Sequence, residues 1–330
     1  MPGPSRAIKR RRAGPAEGLY SAPVHIVLSH HTRLPVVGYG GTERVVVDLA
    51  KGLAALGHRV SLIAATGTRL SEASVIPVDP KLLRAPGFDY TPYLPAGADI
   101  LHAHYPLQKP PPIPHLWTLH GNAREGAVLP PNTIFLSRNH ATRHGGIAYV
   151  YNGLDPADFD FRRDKDTYDL FLGRLHSVKG YQWAIEGTKR LGRRLIVAGG
   201  WRPSLSRNLR YLGSVDGTEK RQLLAAARLL WMPALWEEPF GLTLIEAMFS
   251  GTPVLGTRRG ALPEIITAEV GELGDTLDEL VELVPRAERK DPDACRARAL
   301  SHFSHLVMAE RYVACYTAFL RSGTLEPPPT

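Results

Sequence analysis

The segment VHIVLSHHTRLPVVGYGGTERVVVDLAKGLAALGHRVSLIAA, residues 24–65, decides the fold of this 330-residue chain. Its first run, VHIVLS (24–29), and its last, VSLIAA (60–65), are short and apolar, which is typical of buried strands. The glycine-rich turn VGYGGTER between them opens a helix, which ends at Gly57 and has an apolar face formed by Val45, Leu49, Leu53 and Leu56. Short strands that alternate with amphipathic helices predict a parallel sheet with helices on both faces.

The alternation continues along the chain in two series, and the length allows about two domains. In the first series we predict further strands at 99–104, 116–120 and 133–137, while the proline-rich stretch 77–114 is otherwise hard to assign. The second series begins after YNGLD (151–155), with strands predicted within 169–175, 194–200, 209–215, 228–234 and 252–257 and helices at about 180–191, 218–227 and 241–250. A last helix, from about Ser304 to Leu320, is long enough to lie across both sheets. The predicted fold class is therefore α/β, with two doubly wound sheets.

The first twenty residues are predicted to be a disordered tail, because they are rich in Pro, Gly and Arg. They hold five basic residues and one acid and so carry +4 of the net charge of +8, which leaves the rest of the chain weakly basic. Nucleic-acid binding needs Lys and Arg clustered on a folded face, so we exclude it and allow at most a peripheral membrane contact. Because neither a signal-peptide core nor a run of about 18 apolar residues occurs, we expect a cytoplasmic protein.

The order of elements puts each motif at the carboxyl end of a strand, where open α/β sheets bind ligands, and two facing sheets would leave a cleft. In GRLHSVKG (173–180), Arg174 and Lys179 lie at the two ends of one strand-to-helix turn. Both cations could converge on one anion, Arg as a planar fork and Lys as a point charge, so the motif predicts a diphosphate clamp. Two solvated surface cations would explain this motif, taken alone, equally well.

The segment EEPFGLTLIEAM (237–248) carries a stronger signal. Pro239 suits the loop before a helix or its first turn, which leaves Glu238 in the connection and turns the next N–H groups toward the cleft, those of Phe240, Gly241 and Leu242. Glu246 follows about one and a half turns along an otherwise apolar helix, where a solvated helix face explains it poorly. A carboxylate suits a pair of vicinal hydroxyls, such as those of ribose or a hexose.

EEPFGLTLIEAM resembles the signature of glycosyltransferase family 4, the retaining, nucleotide-sugar-dependent enzymes of GT-B fold, whose mark is two glutamates with seven residues between them. Glu238 and Glu246 match that mark. Other stretches agree in order and spacing, and the resemblance covers about residues 22–320: YGGTERVVVDLAKGLAALGHRV, YNGLD, FLGRLHSVKG, LIVAGG, EEPFGLTLIEAMFSGTPVLG and GALPEI.

The resemblance implies a GT-B fold, in which two doubly wound Rossmann-like domains face one another across a cleft. After the tail (1–20), an N-terminal acceptor-side domain would span 21–150 and a C-terminal nucleotide-sugar-binding domain 151–304. The last helix, 305–322, would cross back and pack on the N-terminal domain.

The resemblance also implies roles for single residues. Arg174 and Lys179 would bind the donor diphosphate, and Glu246 would hold the ribose. Glu238 and the backbone after Pro239 would hold the sugar ring, and His120 matches the position that contacts the donor sugar near the reacting carbon. We therefore predict two groups of site residues, catalytic Arg174, Lys179, His120 and Glu238, and substrate-binding Gly41, Phe240, Gly241, Leu242 and Glu246, with Gly41 approaching the phosphate.

The implied activity is retaining transfer of a hexosyl group from a nucleoside diphosphate sugar, with UDP as our choice of nucleotide, to a carbohydrate or natural-product hydroxyl. Fixed cations and helix N-termini near the departing diphosphate stabilise the transition state, so neither a metal nor any cofactor besides the donor is required. The chain departs from many relatives at RGALPE (259–264), where they have paired small residues, and its first domain is short. The acceptor pocket is therefore expected to be unusual.

Three other classes stay open on the residues alone, and a fourth lacks the motif that it requires. The triplets Asp158/Asp160, Asp164/Asp166 and Asp291/Asp293 suggest a metal-dependent transferase, although they fall in predicted loops. His102 and His104, with His115 and His120 nearby, suggest a zinc hydrolase, but no matching carboxylates follow, and Cys295 and Cys315 are too few for a four-cysteine site. A non-catalytic nucleotide-sugar-binding protein would keep the same cleft. An oxidoreductase would need a G-x-G-x-x-G turn, which GYGGT (38–42) does not supply.

Overall fold

A computed structural model describes residues 23–36, 38 and 40–328. The predicted basic tail, 1–20, lies outside the described residues. The first six strands form one parallel sheet in the order β3-β2-β1-β4-β5-β6: β1 His25–His30, β2 Arg59–Ala65, β3 Ser74–Val78, β4 Ile100–Ala103, β5 His115–Thr118 and β6 Thr133–Ile134. Its helices are α1 Gly41–Ala55, α2 Pro80–Leu83 and α3 Arg138–Arg143. We call residues 23–150 the N-terminal half.

A second six-stranded parallel sheet follows in the C-terminal half, residues 151–328, in the order β12-β11-β10-β7-β8-β9. Its strands are β7 Tyr168–Leu172, β8 Arg194–Ala198, β9 Leu209–Gly213, β10 Leu229–Met232, β11 Val254–Thr257 and β12 Gly271–Gly274. The helices are α4 Tyr181–Arg190, α5 Gly217–Ala226, α6 Leu242–Phe249, α7 Leu262–Ile265, α8 Leu277–Ala287, α9 Pro292–Phe303 and α10 His305–Ser322. The predicted class, two doubly wound α/β sheets, is confirmed, whereas the domain boundary at 150/151 stays a prediction.

The strand order reverses direction once in each sheet. In the first sheet β1 lies between β2 and β4, and in the second β7 lies between β10 and β8. Loops that leave neighbouring strands on opposite faces open a crevice at such a point, and ligands bind there. The carboxyl ends of β1, β4, β7 and β10 are therefore the positions around which a site is expected.

The last helix, α10, packs on α1, as the sequence predicts. The two helices approach closely at Gly52, where a Cβ atom would lie 2.5 Å from the carbonyl oxygen of His305. Farther along α10, the hydroxyls of Tyr312 and Tyr316 reach Thr118 Oγ1 (2.9 Å) and His102 Nδ1 (2.7 Å) in the first sheet. The C-terminal end of the chain thereby ties the N-terminal half to the rest of the molecule.

One prediction about an element needs correction. The run 133–137 forms a strand of only two residues, because Phe135 bridges instead to Tyr149 and Ser137 caps α3 by accepting from the N–H of His140. The proline-rich stretch 77–114, which the sequence left mostly unassigned, begins with the end of β3 and contains α2, the 3₁₀ turn Thr91–Tyr93 and the predicted strand β4. The spacing of Met308, Tyr312, Cys315 and Phe319 along the last helix predicts that Cys315 lies on its inward face, and the thiol is buried. No helix in the described ranges combines the length and apolar character needed to cross a bilayer, and the cytoplasmic location stays a prediction.

Candidate active site

A cavity of about 590 Å³ lies between the two halves, at the carboxyl ends of both sheets. Its wall contains glycine turns from the N-terminal half and the basic and acidic motifs of the C-terminal half. All the predicted site residues line it: Gly41, His120, Arg174, Lys179, Glu238, Phe240, Gly241, Leu242 and Glu246. The structure brings these residues together, although their individual roles stay predictions.

The turn after β7 places the basic pair. Arg174 leaves the end of the strand, and a 3₁₀ turn, Ser177–Lys179, carries the lysine back toward the cavity. Gly180 follows with φ of 71°, and a Cβ atom there would lie 1.7 Å from the carbonyl oxygen of Pro233. Because only glycine tolerates both the conformation and the contact, this residue fixes the turn against the loop after β10.

Lys179, Glu238 and Trp236 form a compact cluster at one side of the cavity. Lys179 Nζ donates to Glu238 Oε2 at 2.7 Å and lies 4.7 Å from the centre of the Trp236 ring. The indole N–H of Trp236 donates to the same carboxylate oxygen at 2.8 Å. An ammonium carries three donors, so Lys179 can keep Glu238 and still bind a phosphate oxygen.

The loop 237–241 is fixed by contacts from both halves. Asn122 Nδ2 donates to the carbonyl oxygen of Glu237 at 2.8 Å, and Ser137 Oγ donates to that of Pro239 at 3.0 Å. From the C-terminal half, the N–H of Gly260 donates to Glu237 Oε2 at 2.8 Å. The backbone beside Glu238 therefore depends on groups from both sides of the cleft.

Two helix N-termini, one from each half, meet at the cavity. Helix α1 begins after Gly40 and α6 after Gly241, and no side chain of the described residues caps either N-terminus. The helices approach so closely that a Cβ atom on Gly41 would lie 3.0 Å from Leu242 Cδ1. Unpaired N–H groups and the positive ends of two helix dipoles favour an anion at this place.

The ring of Phe240 does not point freely into the cavity. It is buried, with its centroid 5.9 Å from that of Phe303 and 6.1 Å from that of Tyr151. The ring therefore fixes the start of α6, and the contact expected of this residue would come from its backbone.

Glu246, on α6, is fully buried, and one of its two carboxylate oxygens is paired with two cations. Oε1 contacts the guanidinium of Arg44 and lies 2.7 Å from Lys220 Nζ. Burial raises the pKa of the Glu246 carboxyl, but Lys220 and then Arg44 outweigh burial and hold the pKa below its usual value. The carboxylate is thus ionised, as an acceptor for ligand hydroxyls must be.

His120 follows β5 and faces the cavity beside a second histidine. Its Nε2 lies 2.9 Å from Nδ1 of His104, which is buried after β4. Burial, with smaller contributions from the neighbouring His30 and His140, lowers the pKa of His120 to about 3. At neutral pH the ring is uncharged, so it can donate or accept a hydrogen bond but carries no positive charge.

Sequence reasoning missed Arg44, Lys220 and Trp236. Arg44 is the last residue of the glycine-rich turn VGYGGTER and comes one residue before the apolar stripe of α1, and this position could have marked it as a site residue. Lys220 lies on the predicted helix 218–227, where no motif distinguishes it. Trp236 precedes the acidic motif by one residue, and only the fold shows that its ring lies against Lys179.

The residues behind the metal alternatives have other partners. Asp291 caps α9 by accepting from the N–H of Asp293, and Asp293 pairs with Arg163 at 2.7 Å. His102 is bonded to Tyr316 and Thr118 inside the first sheet. Within the described part of the chain, no three His, Cys, Asp or Glu residues gather in a metal-binding arrangement.

Comparison with known proteins identifies the family. One family model, described as Glycosyltransferase Family 4, matches residues 39–155, and another, Glycosyl transferases group 1, matches residues 167–287. Together the two matches span most of both halves. The chain therefore belongs to the family 4 glycosyltransferases with the GT-B fold, as its motifs predict.

Individual proteins agree with this assignment. A glycosyltransferase involved in avilamycin A biosynthesis is 27% identical, with a TM-score of 0.78 over 92% of this chain and 100% of that one. An MMP α-(1→4)-mannosyltransferase from Mycolicibacterium hassiacum is 38% identical over 109 residues, 30% of this chain and 26% of that protein. An Anabaena protein solved with UDP-glucose is 16% identical with a TM-score of 0.63, covering 89% and 99%, and shares the fold alone. The matched part spans about half or less of the curated relatives.

Proposed function

We propose that the protein transfers a hexosyl group from a nucleoside diphosphate sugar, UDP-sugar first among them, to a hydroxyl group, with retention and without a metal. The observation that carries this proposal is the single cavity in which Arg174, Lys179, Glu238 and Glu246 meet the N-terminus of α6. Cations and N–H groups suit the diphosphate, and the two carboxylates suit hydroxyls of the sugar and ribose.

In this proposal the chain acts mainly by stabilising the leaving group. When the glycosyl-phosphate bond breaks, negative charge grows on the diphosphate and positive charge on the sugar ring. Arg174 and Lys179 are the catalytic cations, and helix dipoles at the cavity add to them. His120, which is uncharged at neutral pH, and the carboxylate of Glu238 would contact the sugar. The acceptor hydroxyl would attack the sugar on the same face from which the diphosphate departs.

The acceptor is proposed to be a carbohydrate or natural product bound on the N-terminal half. This proposal rests on the layout of the cavity. The motifs proposed to bind the donor line the wall formed by the C-terminal half, so the wall formed by the N-terminal half is left for the second substrate. Gly41 and His120 belong to that opposite wall, where donor and acceptor would meet.

A thermal-shift panel of UDP-, GDP-, ADP- and TDP-sugars tests the donor. The compound that raises the melting temperature most is then incubated with candidate acceptors, and the products are analysed by mass spectrometry and by NMR of the anomeric proton. Retention of the donor's anomeric configuration and unchanged turnover in EDTA are the expected results. An inverted product would contradict the retaining mechanism, and loss of activity in EDTA would contradict metal independence.

The same panel separates an enzyme from a non-catalytic binding protein. A transferase with this site is expected to hydrolyse its donor slowly when no acceptor is present. Donor binding without hydrolysis above background would favour the binding protein instead.

A further inference from the structure

The two oxygens of Glu246 have different surroundings. Oε1 takes both cations, Arg44 and Lys220, whereas Oε2 is buried and has no hydrogen-bond partner among the described residues. A carboxylate has about four lone-pair positions, two on each oxygen. Because Oε1 is already used twice, the remaining acceptor capacity of this residue, which lines the cavity, lies on Oε2.

The two cations come from different parts of the molecule. Lys220 is on α5, in the same half as Glu246, and by itself supplies one positive charge for the one negative charge. Arg44 is on α1, across the cleft, and its side chain is 35% exposed while that of Glu246 is 0% exposed. Lys220 already balances the negative charge of Glu246, so Arg44 is a second cation on the same carboxylate. Its presence points to a role other than neutralising that charge.

The geometry of a guanidinium explains what a second cation can add. A lysine ammonium can stay in contact with a carboxylate that changes its orientation, because the lysine side chain is flexible and its charge has no preferred plane. A planar guanidinium restricts the orientation of the carboxylate that it binds. Arg44 also has its Nε 3.4 Å from the carbonyl oxygen of Gly40, which helps to orient the side chain from its own helix. One oxygen of the carboxylate, Oε1, is therefore bound by a cation from each half of the molecule.

We propose that Arg44 is a positioning residue, which holds Oε1 of Glu246 when the two halves are together so that Oε2 accepts both vicinal hydroxyls of a nucleotide ribose. This inference rests on the proposed function, since it assumes that a nucleoside diphosphate occupies the cavity. It adds that ribose recognition needs the N-terminal half, although Glu246 belongs to the C-terminal one. The ligand class it selects is ribonucleotides over 2′-deoxyribonucleotides.

Isothermal titration calorimetry with UDP, GDP, dUDP and dGDP tests the inference. The variants are Arg44→Gln and Arg44→Lys, and Arg59→Gln is the control, because Arg59 is an exposed arginine at the opposite end of the first sheet. We expect the wild type to bind its preferred ribonucleotide about tenfold more tightly than the 2′-deoxy form. Arg44→Gln should weaken ribonucleotide binding about tenfold and leave deoxynucleotide binding nearly unchanged.

The ratio of the two affinities is the decisive quantity. It should fall toward one in Arg44→Gln, take an intermediate value in Arg44→Lys, which keeps the charge but not the planar fork, and stay at the wild-type value in Arg59→Gln. An unchanged ratio in folded Arg44→Gln and Arg44→Lys would overturn this inference and leave the proposed function intact. Failure of the wild type to bind any of the four nucleotides would overturn this inference, and it would overturn the proposed function as well if no sugar nucleotide of the thermal-shift panel binds.

Discussion

Lys179 Nζ lies 2.7 Å from Glu238 Oε2, so two motifs that are 59 positions apart in the sequence meet in one ion pair. The side chain of Glu238 is 9% exposed and that of Lys179 27% exposed. The pair can therefore orient both partners, and the lysine keeps donors for a phosphate oxygen.

Removing either basic residue of the predicted diphosphate clamp should slow the reaction. We expect Arg174→Ala and Lys179→Ala each to lower kcat by about 10²- to 10³-fold, because each removes positive charge from the departing diphosphate. Steady-state kinetics with a saturating donor measures the effect. Lys189→Ala, at an exposed lysine near the end of α4, is the matched control and should retain the wild-type rate. Normal turnover in Arg174→Ala would refute leaving-group stabilisation by this residue.

Trp236 is predicted to support Lys179 and Glu238 in two separable ways. Trp236→Phe keeps an aromatic face for the ammonium but removes the N–H that Glu238 accepts, so kcat/KM should fall about tenfold. Trp236→Leu removes both interactions and should cost a further fewfold factor.

The control for this pair is Trp183→Phe, on α4 in the packing layer of the second sheet, which should change kcat/KM little. Equal rates for Trp236→Phe and Trp236→Leu would show that the ring face is unimportant.

The buried histidines predict a stability that falls in mild acid. Burial lowers the pKa to about 3 for His30, His102, His120 and His140, and it lowers the pKa of His104 well below its usual value. Below pH 6.5 the unfolded chain therefore binds more protons than the folded one, and the free energy of unfolding decreases as the pH falls toward the folded-state pKa values. Between pH 7 and 5.5 the loss is about 1 kcal/mol for each histidine.

Urea unfolding at the two pH values measures this loss. His140→Asn should reduce the difference between them by about 1 kcal/mol, and His176→Asn, at an exposed histidine, should preserve it. Identical urea midpoints at pH 7 and 5.5 would contradict the prediction.

Glu264 connects the two halves on the side of the molecule near α3. Its carboxylate accepts from the N–H groups of Arg138 (2.9 Å) and Asn139 (2.7 Å) and from the hydroxyl of Tyr151 (2.8 Å). Glu264→Ala should lower the free energy of unfolding by about 1–2 kcal/mol, because these donors lose a charged acceptor. Urea denaturation measures the change, and Glu269→Ala, an exposed glutamate close in sequence, is the control. A Glu264→Ala variant as stable as Glu269→Ala would exclude a stabilising role.

Much of the fold followed from periodicity and turns. The first strand, the helix after the glycine turn and the last helix end within about two residues of their predicted bounds, since apolar faces and glycine stops are local signals. Residues 133–137 were predicted as a full strand because they are apolar, but Ser137 begins α3 and Phe135 pairs elsewhere. These two contacts involve His140 and Tyr149, which lie outside the five-residue apolar run on which the strand prediction was based.

The sequence by itself determined the family, the two-sheet architecture and the motifs that line the cavity, because those features depend on residue type, spacing and strand order. Only the tertiary structure decided which charges meet. Arg44 reaches Glu246 because α1 and α6 begin at the carboxyl ends of separate sheets. Trp236 lies against Lys179 because the loops after β7 and β10, neighbouring strands of the second sheet, lie side by side. Contacts between residues so far apart in the sequence depend on side-chain positions in three dimensions, and no local pattern in the chain encodes those positions.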